Sequence, residues 1–350
     1  MKKLQYLVST SLDYFKAEDL TNSLIYNDRA IAHGRLKNVN PKTKELLHSN
    51  KGYTLLALKE YELARQQFAL ANTYQFNDEN GWSQFLCLAN LGKWEEAKKF
   101  HHYRYGSTRT APTKVSFPEL PLPFAKSLED LKDKKILVLN EQGLGDEILF
   151  FSAISKIAPY VKEIYLQCYP ETFRLFKINC PENVILFKDR SFNLEFVNQF
   201  DMYTNTGDLF IYSSDISLGY SDSDIVPELY RKGIGFCWKA NVRSPNAEKR
   251  SIDPKILEQF KGDHNVSLQI TNKCPEWMIP LPEVEDLYDT AEIISELEHV
   301  FTADTSIAHL SGFLNIPTTL LINKHHDWRW KQVNENGNSL FYPSIKIKCL

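Results

Sequence analysis

The spacing of hydrophobic residues divides this 350-residue chain into a helical first part and an alternating second part. Over residues 1–108, apolar residues recur every three or four positions, glycine is scarce and proline occurs only at Pro41, which is typical of amphipathic helices. From residue 134 onward, short runs of β-branched residues and leucine alternate with helical segments, which indicates an α/β fold. The proline-rich residues 109–133 between the two parts are expected to form a semi-rigid linker.

The second part contains two series of alternating strands and helices. Each series opens with a strand that runs into a glycine-bearing loop, so we expect two Rossmann-like lobes, residues 134–230 and 231–350, with ligands bound in the cleft between them. The predicted strands cover residues 136–140, 163–168, 184–187, 200–203, 232–239, 266–270, 299–302 and 318–322. The predicted helices cover residues 147–158, 171–177, 254–260 and 290–297.

Composition and charge narrow the class of protein. Hydrophobic residues make up 43% of the chain and charged residues 24%, which is ordinary for a globular protein, and the net charge of −3 argues against a general nucleic-acid binder. The six cysteines have no C-x-x-C spacing, so they are expected to be buried thiols in a reducing compartment. The apolar run at the N-terminus is too short for a signal peptide and no stretch reaches the ~20 apolar residues of a membrane span, so we predict a cytoplasmic protein with no transmembrane segment.

The helical part contains an internal repeat. Residues 58–64 and 91–97 resemble each other at an offset of 33, and Ala64 opens an A-x3-F-x2-A pattern that lies twelve residues after Gly52. This spacing resembles the tetratricopeptide repeat, in which small alanines let two helices approach closely. We predict two such repeats, preceded by a degenerate helical pair over residues 5–35. Arrays of this kind bind peptides or proteins, although a short structural cap on the next domain is an equal alternative.

Two strand–turn–helix segments carry candidate chemistry. In the first, the strand at residues 136–140 runs into Gln142-Gly-Leu-Gly-Asp146, where the glycines permit positive φ or close approach to a ligand. The segment lacks the third glycine of a dinucleotide fingerprint and the G-K-[ST] of a Walker loop, which weakens an oxidoreductase interpretation. An aspartate at a helix start is often only a cap, so this pattern by itself is a weak signal.

The second segment runs from the strand ending at Asp304 into a helix. Asp304 is a helix-capping residue type, and Thr305 and Ser306 place hydroxyl groups in the first turn, whose open N–H groups and positive dipole end suit an anion. His309 follows one turn later on the same helix face. The alternative is an ordinary cap with a histidine in the core.

Taken together, the motifs resemble the glycosyltransferase domain of bacterial tetratricopeptide-repeat proteins related to the heptosyltransferase family. The resemblance covers roughly residues 130–350. It implies a GT-B fold and an inverting, metal-independent hexosyl or heptosyl transfer from a nucleotide-sugar to a protein or surface-glycan acceptor. Besides the two turns, it rests on Gly233-Ile-Gly-Phe-Cys-Trp-Lys239, Lys249-Arg-Ser-Ile252, Asp327-Trp-Arg-Trp330 and Phe341-Tyr-Pro-Ser344.

The resemblance also assigns roles. Asp146 becomes the general base on the acceptor hydroxyl, on a loop with Gln142, Gly143 and Gly145 in the first lobe, which is the acceptor side. The second lobe becomes the donor side. Its expected donor-binding residues are Lys239, Arg250, Asp304, Thr305, Ser306 and His309, with Asp327 and Trp328 beside the cleft.

Several alternatives remain open at the level of sequence. Lys239 and Arg250, with the loop cations Arg243 and Lys249, could be ordinary solvated charges, and Trp330 is expected to pack between its lobe and the C-terminal segment. His325-His326 lacks a third ligand, so no metal site or other cofactor is expected. The rival to the enzyme is a catalytically inactive scaffold that binds partners through its helical repeats. The donor sugar, the acceptor and the oligomeric state are not determined by the sequence.

Overall fold

The computed structural model describes residues 2–107, 120–189, 193–213, 231–241, 247–271, 273–323 and 326–350. The chain divides into two compact units, Met1–Ser116 and Phe117–Leu350. None of the helices formed by the described residues is long and apolar enough to cross a membrane.

The first unit is helical throughout its described residues, as predicted. Sequence signals place the helix ends: Asp19 and Asn40 accept hydrogen bonds from the N–H groups of Asn22 at 3.1 Å and Thr43 at 2.9 Å, and Pro41 occupies the first helical position after Asn40. Each helix packs against the next one along the chain. The helices are α1 (Lys2–Lys16), α2 (Leu20–Leu36), α3 (Pro41–Ala57), α4 (Tyr61–Tyr74), α5 (Asp78–Asn90) and α6 (Trp94–Ala97), the last continuing as a 3-10 helix, Lys98–Tyr105.

Close packing of α3 on α4 depends on a glycine. Ala64 and Phe68 are fully buried, and a Cβ atom added to Gly52 would lie 2.7 Å from Cε1 of Phe68. The A-x3-F-x2-A pattern therefore packs against the glycine as its spacing predicts. Three consecutive helix pairs agree with the predicted repeats and the preceding pair, while the assignment of these pairs to the tetratricopeptide family stays a prediction.

The second unit begins with a four-stranded parallel sheet in the order β3-β2-β1-β4. Its strands are β1 (Lys135–Leu139), β2 (Glu163–Gln167), β3 (Val184–Phe187) and β4 (Met202–Asn205). The central strand β1 is apolar after its first residue and buried there, as expected for a strand covered on both faces. The helices of this lobe are α7 (Leu144–Phe151), α8 (Ile154–Ile157), α9 (Phe173–Lys177), α10 (Leu194–Val197) and α11 (Thr206–Tyr212).

A second parallel sheet follows, with five strands in the order β6-β5-β7-β8-β9. Its strands are β5 (Ile234–Cys237), β6 (Asn265–Ser267), β7 (His299–Thr302), β8 (Thr318–Ile322) and β9 (Ile345–Cys349). The helices of this lobe are α12 (Ala247–Arg250), α13 (Pro254–Leu257), α14 (Leu287–Ser295) and α15 (Ser306–Phe313), and a 3-10 helix spans Trp328–Lys331. The two lobes share one hydrophobic core, in which the rings of Phe151 and Phe313 lie 6.0 Å apart.

The predicted α/β architecture is confirmed, with differences at the ends of elements. All eight predicted strands are present, but β7 ends at Thr302, two residues before Asp304. The predicted helix over residues 147–158 begins earlier, at Leu144, and is divided between α7 and α8. Strand β9 was not predicted, because its sequence Ile345-Lys-Ile-Lys-Cys349 forms an edge strand that is mostly exposed and therefore lacks a buried apolar run.

Part of the predicted linker belongs to the second unit. The N–H of Ala125 donates to the carbonyl of Tyr203 at 2.9 Å, and the N–H of Tyr203 donates to the carbonyl of Pro123 at 3.0 Å. Leu131 is fully buried in the core of this unit. Residues 120–133 therefore extend the first lobe, whereas residues 109–119 lie outside the described part of the chain.

Candidate active site

The strand order places the two predicted turns at ligand-binding positions. In the first sheet β2 and β3 lie on one side of β1 and β4 on the other; in the second, β6 lies on one side of β5 and β7 on the other. Open α/β sheets bind ligands at the carboxyl ends of the strands where the order reverses in this way. The turn after β1 carries Asp146, and the turns after β5 and β7 carry Lys239 and Ser306.

The turn of the first lobe meets the helix of the second at a glycine. Gly145 lies against His309, so that an added Cβ would be 2.6 Å from Cδ2 of the imidazole. His309 is buried, its Nδ1 lies 3.1 Å from the hydroxyl of Tyr342, and its ring centroid is 4.9 Å from that of Trp330. Burial, together with the charges of nearby arginines, lowers the pKa of His309 to about 3, so its imidazole is neutral at pH 7.

Asp146 is the third residue of α7 and is held from two sides. Its Oδ1 lies 2.6 Å from Nη2 of Arg329, and its Oδ2 accepts a hydrogen bond from the N–H of Gly143 at 3.2 Å. The side chain keeps 24% of its surface exposed. Burial raises the pKa of Asp146, and the neighbouring guanidinium opposes that rise.

Arg329 is a site residue that sequence reasoning missed. Its Nη2 donates to Oε1 of Gln142 at 2.8 Å as well as to Asp146, and its Nη1 donates to Oδ1 of Asp327 at 2.8 Å. It therefore connects the second lobe to the predicted acceptor loop of the first. The only sequence signal was its place inside the Asp327-Trp-Arg-Trp330 motif, where the aspartate and the first tryptophan were singled out instead.

Asp327 and Trp328 both contact this arginine. Asp327 caps the 3-10 helix by accepting the N–H of Arg329 at 3.0 Å, and its side chain is 40% exposed. Burial would raise the pKa of Asp327, but the adjacent guanidinium outweighs it and the net shift is downward. The half-buried ring of Trp328 lies under the guanidinium at 4.7 Å.

Asp304 is not the cap of α15; the cap is Thr305, one residue later. Asp304 is buried, its Oδ2 lies 3.0 Å from Nε of Arg250, and its Oδ1 accepts the indole N–H of Trp330 at 2.9 Å. Its backbone carbonyl also accepts a hydrogen bond from Nη2 of Arg250 at 2.7 Å. Because this strand already ends at Thr302, Asp304 turns inward and its carboxylate binds residues of its own lobe.

Thr305 and Ser306 differ in what they offer a ligand. The hydroxyl of Thr305 is buried, accepts the N–H of Ile307 at 3.2 Å and lies 3.3 Å from the hydroxyl of Thr302. Ser306 is the first residue of α15 and is partly exposed. The N–H groups of Ile307 and Ala308 already donate to Thr305, so an anion at this helix start would meet the N–H and the hydroxyl of Ser306.

Lys239 is exposed on the turn after β5. Its backbone N–H donates to Oε1 of Gln269 at 2.8 Å, which fixes the turn, while Trp238 before it is buried. Within the described ranges, no carboxylate lies in ion-pair range of its ammonium group. The adjoining strand β7 places Ala303 beside this turn, since the N–H of Ala303 donates to the carbonyl of Cys237 at 2.7 Å.

Among the residues described, the remaining cations and histidines from the sequence analysis add no further contact to the site. Lys249 is exposed, and Nδ1 of His326 lies 2.8 Å from the carbonyl of Asn323. Arg243 and His325 lie outside the described residues. Within the part of the chain that the structure describes, no three His, Cys, Asp or Glu side chains are grouped so that they could hold a metal ion.

Glu147, next to Asp146, is a second residue that sequence reasoning missed. It is 1% exposed and accepts hydrogen bonds from the hydroxyl of Thr172 at 2.6 Å, the N–H of Tyr169 at 2.9 Å and the amide of Asn140 at 3.3 Å. Burial raises its pKa to about 7 from the ordinary value of 4.5, although these bonds oppose the shift. Glu147 thus joins the carboxyl ends of β1 and β2 next to the predicted acceptor loop.

We expect Glu147 to make stability fall as pH rises. A carboxyl group with a raised folded pKa stabilises the fold below its unfolded pKa, and that contribution is lost as pH passes about 7. The loss is about 3 kcal/mol at 1.36 kcal/mol per pKa unit. Urea unfolding at pH 5 and pH 8 should show this fall in the wild type and a much smaller one in Glu147→Gln, where Thr172 can still donate to the carbonyl of Tyr169 at 3.0 Å. If the free energy of unfolding fell equally with pH in the wild type and in Glu147→Gln, Glu147 would not be the group responsible.

Structural comparison finds glycosyltransferases among the similar chains. The Escherichia coli heptosyltransferase WaaC with ADP aligns at a TM-score of 0.40 and 10% identity over 61% of this chain and 93% of its own. The E. coli ADP-heptose heptosyltransferase II aligns at 0.41 and 13% identity over 62% and 90%. A variant of the Thermobaculum terrenum O-GlcNAc transferase aligns at 0.28 and 10% identity over 91% and 82%.

The sequence comparisons add no relative. No protein-family model matches the chain, and no curated protein matches it significantly. Because all three structural TM-scores lie below 0.5, they carry no functional argument, and the case for function rests on the site.

Proposed function

We propose that the protein is an inverting glycosyltransferase of the GT-B type, which transfers a hexosyl or heptosyl group from a nucleotide-sugar. The observation that carries the proposal is the meeting of two turns from the reversal points of two parallel sheets, at Gly145 and His309. One turn bears the partly exposed carboxylate of Asp146. The other leads into a helix start that lies beside the strand of Lys239, so an acid–base group and anion-binding groups belong to one region.

The reaction would be a single displacement. Asp146 takes the proton of the acceptor hydroxyl, the acceptor oxygen forms a bond to the anomeric carbon, and the bond from that carbon to the diphosphate breaks on the opposite face. The leaving diphosphate gains negative charge, which Lys239, the N–H and hydroxyl of Ser306 and the positive end of the α15 dipole would stabilise. A positioned base of this kind contributes about 10²–10⁴-fold in rate.

The observed contacts divide the predicted donor-binding residues into those that bind other residues of the protein and those that are open to a donor. Arg250 and Asp304 bind each other, and the Thr305 hydroxyl and the His309 imidazole are engaged within the protein. They support the turn, while Lys239 and Ser306 are left to contact the donor. The acceptor is proposed to be a protein or a surface-glycan precursor recognised by the helical unit, and the location is proposed to be cytoplasmic.

Nucleotide binding is the first test. A thermal-shift and calorimetric screen of the full chain against nucleoside diphosphates and nucleotide-sugars should show stabilisation by one nucleotide. Lys239→Ala should weaken that binding by about tenfold or more, because a charge-assisted contact to phosphate contributes about 1.5–3 kcal/mol. The screen is repeated with EDTA, and binding that survives supports metal independence.

Lys255→Ala is the matched control. Lys255 is an exposed lysine of the same lobe on α13, and its loss should leave the affinity unchanged. If both variants lost the same nucleotide affinity, the effect of Lys239→Ala would come from the change in overall charge and not from a contact with the phosphate. If no nucleotide bound the wild type, the inactive scaffold would replace the enzyme as the preferred function.

A further inference from the structure

A single guanidinium links the candidate base to the opposite lobe. Arg329 contacts Asp146 at 2.6 Å and Gln142 at 2.8 Å in the first lobe while it contacts Asp327 at 2.8 Å in its own. Its side chain is only 9% exposed. A planar, permanently charged fork that meets two carboxylates and an amide has little freedom to turn, so its partners are held in fixed orientations.

The two oxygens of Asp146 are not equivalent in this arrangement. Oδ1 takes the short contact with Arg329, whereas Oδ2 accepts one longer bond, 3.2 Å from the N–H of Gly143. An ionised carboxylate oxygen can accept more than one hydrogen bond. Oδ2 has no cationic partner, so it is the more basic of the two oxygens and the better placed to accept a proton from a bound hydroxyl.

We propose that Arg329 is the positioning residue of the base: it fixes Oδ1 of Asp146 so that Oδ2 faces the acceptor, and it keeps the carboxylate ionised in a partly buried place. This inference rests on the proposed function, because it names the residue that prepares the base of that reaction. Without the guanidinium, burial favours the protonated carboxyl, which already carries its proton and cannot take another from the acceptor hydroxyl.

Asp327 acts on the same carboxylate with the opposite sign. It binds Nη1 and the backbone N–H of Arg329, and its negative charge works against ionisation of Asp146. The charged groups that act on Asp146 are Arg329, Asp327 and Arg250, and Asp146 also interacts with the buried hydroxyl of Tyr342, whose pKa it helps to raise. Removing the charge of Arg329 and removing the charge of Asp327 should therefore move the pKa of Asp146 in opposite directions. A role limited to packing would not produce opposite shifts.

The test is the pH profile of kcat/KM in the full chain. Arg329→Gln should move the acidic limb to higher pH by about one unit. At a pH on that limb, below the pKa of the base in both proteins, kcat/KM should fall about tenfold, because one unit there corresponds to tenfold in the ionised fraction. Arg329→Lys should recover part of the loss. Asp327→Asn should move the limb to lower pH. A uniform fall in kcat/KM with an unmoved limb would overturn the inference.

Arg174→Gln is the matched control. Arg174 of α9 also binds carboxylates of the second lobe, with Nη1 3.0 Å from Oδ1 of Asp289, but it does not act on Asp146. Its loss should leave the acidic limb in place. Thermal unfolding of each variant shows which of them fold. If Arg329→Gln does not fold, the same pH profile is measured on Arg329→Lys.

A second measurement separates this inference from the proposed function. Carboxyl ¹³C NMR titrates Asp146 directly, with the signal assigned from Asp146→Asn, and needs no substrate. Unchanged titration in Arg329→Gln alongside wild-type turnover would overturn the inference alone. A shifted titration in a protein that transfers no sugar from any donor would overturn the proposed function and leave Arg329 as a structural contact between lobes.

Discussion

Replacing Asp146 by asparagine is expected to lower kcat by about 10²–10⁴-fold while donor binding and stability stay close to wild type. The amide oxygen of asparagine can still accept a hydrogen bond from Arg329 and the side chain has nearly the same shape. Its amide nitrogen cannot accept the long, 3.2 Å bond from the N–H of Gly143, so the turn before α7 should be preserved at a small cost in stability. What is lost is the ability to accept a proton. Initial rates of sugar transfer with the nucleotide-sugar identified by the binding screen, measured with calorimetric donor affinity, would separate the two effects.

The control for this substitution is Asp253→Asn. Asp253 also stands at a helix start, where it caps α13 by accepting the N–H of Lys255 at 3.0 Å, and asparagine caps about as well as aspartate. Turnover should therefore be unchanged. If Asp146→Asn also kept full turnover, Asp146 would be only a cap, and the base would have to be sought elsewhere.

Substituting Gly145 by alanine is expected to destabilise the contact between the two lobes by about 1–3 kcal/mol, the usual cost of overpacking. The added methyl group would meet the imidazole of His309 at 2.6 Å, and that ring is held by Tyr342 and covered by Trp330. The better helix propensity of alanine offsets at most about 1 kcal/mol. Denaturant unfolding should show the loss, and transfer activity should fall because Asp146 and Arg329 are separated.

Gly143→Ala provides the comparison for stability. Gly143 has a φ of −99°, and the nearest atom to its added Cβ is Oδ2 of Asp146 at 3.7 Å, an ordinary contact. Its free energy of unfolding should change by less than about 1 kcal/mol. Equal stability of the two alanine variants would mean that His309 moves aside freely and that the turns are not closely joined.

Much of the fold follows from local sequence. Runs such as Ile136-Leu-Val-Leu139 are buried strands because a parallel sheet is covered on both faces. Asp19 and Asn40 cap helices because a short side-chain oxygen satisfies open N–H groups. The 33-residue offset and Gly52 likewise predict a close helix pair, since only small residues allow it. These are properties of one segment or of two neighbouring segments.

The composition of the site was decided by contacts between distant segments. Asp146 and Ser306 were singled out from their turns, but the order of strands in each sheet placed those turns at ligand-binding positions. Arg329 was missed because its partners Asp146 and Gln142 lie more than 180 residues away in the chain.

For Asp304 and His309, local sequence predicted a contact with the ligand that the tertiary structure does not favour. Their residue types and positions suited a ligand, yet one carboxylate is buried against Arg250 and the imidazole packs on Gly145. Periodicity and capping report what a residue does within its own helix or strand. The sequence by itself determined most of the elements, the two lobes and the candidate turns, but not the exposed edge strand β9. Only the tertiary structure decided which charged groups meet, because the burial and pairing of a charge depend on the segment that packs against it.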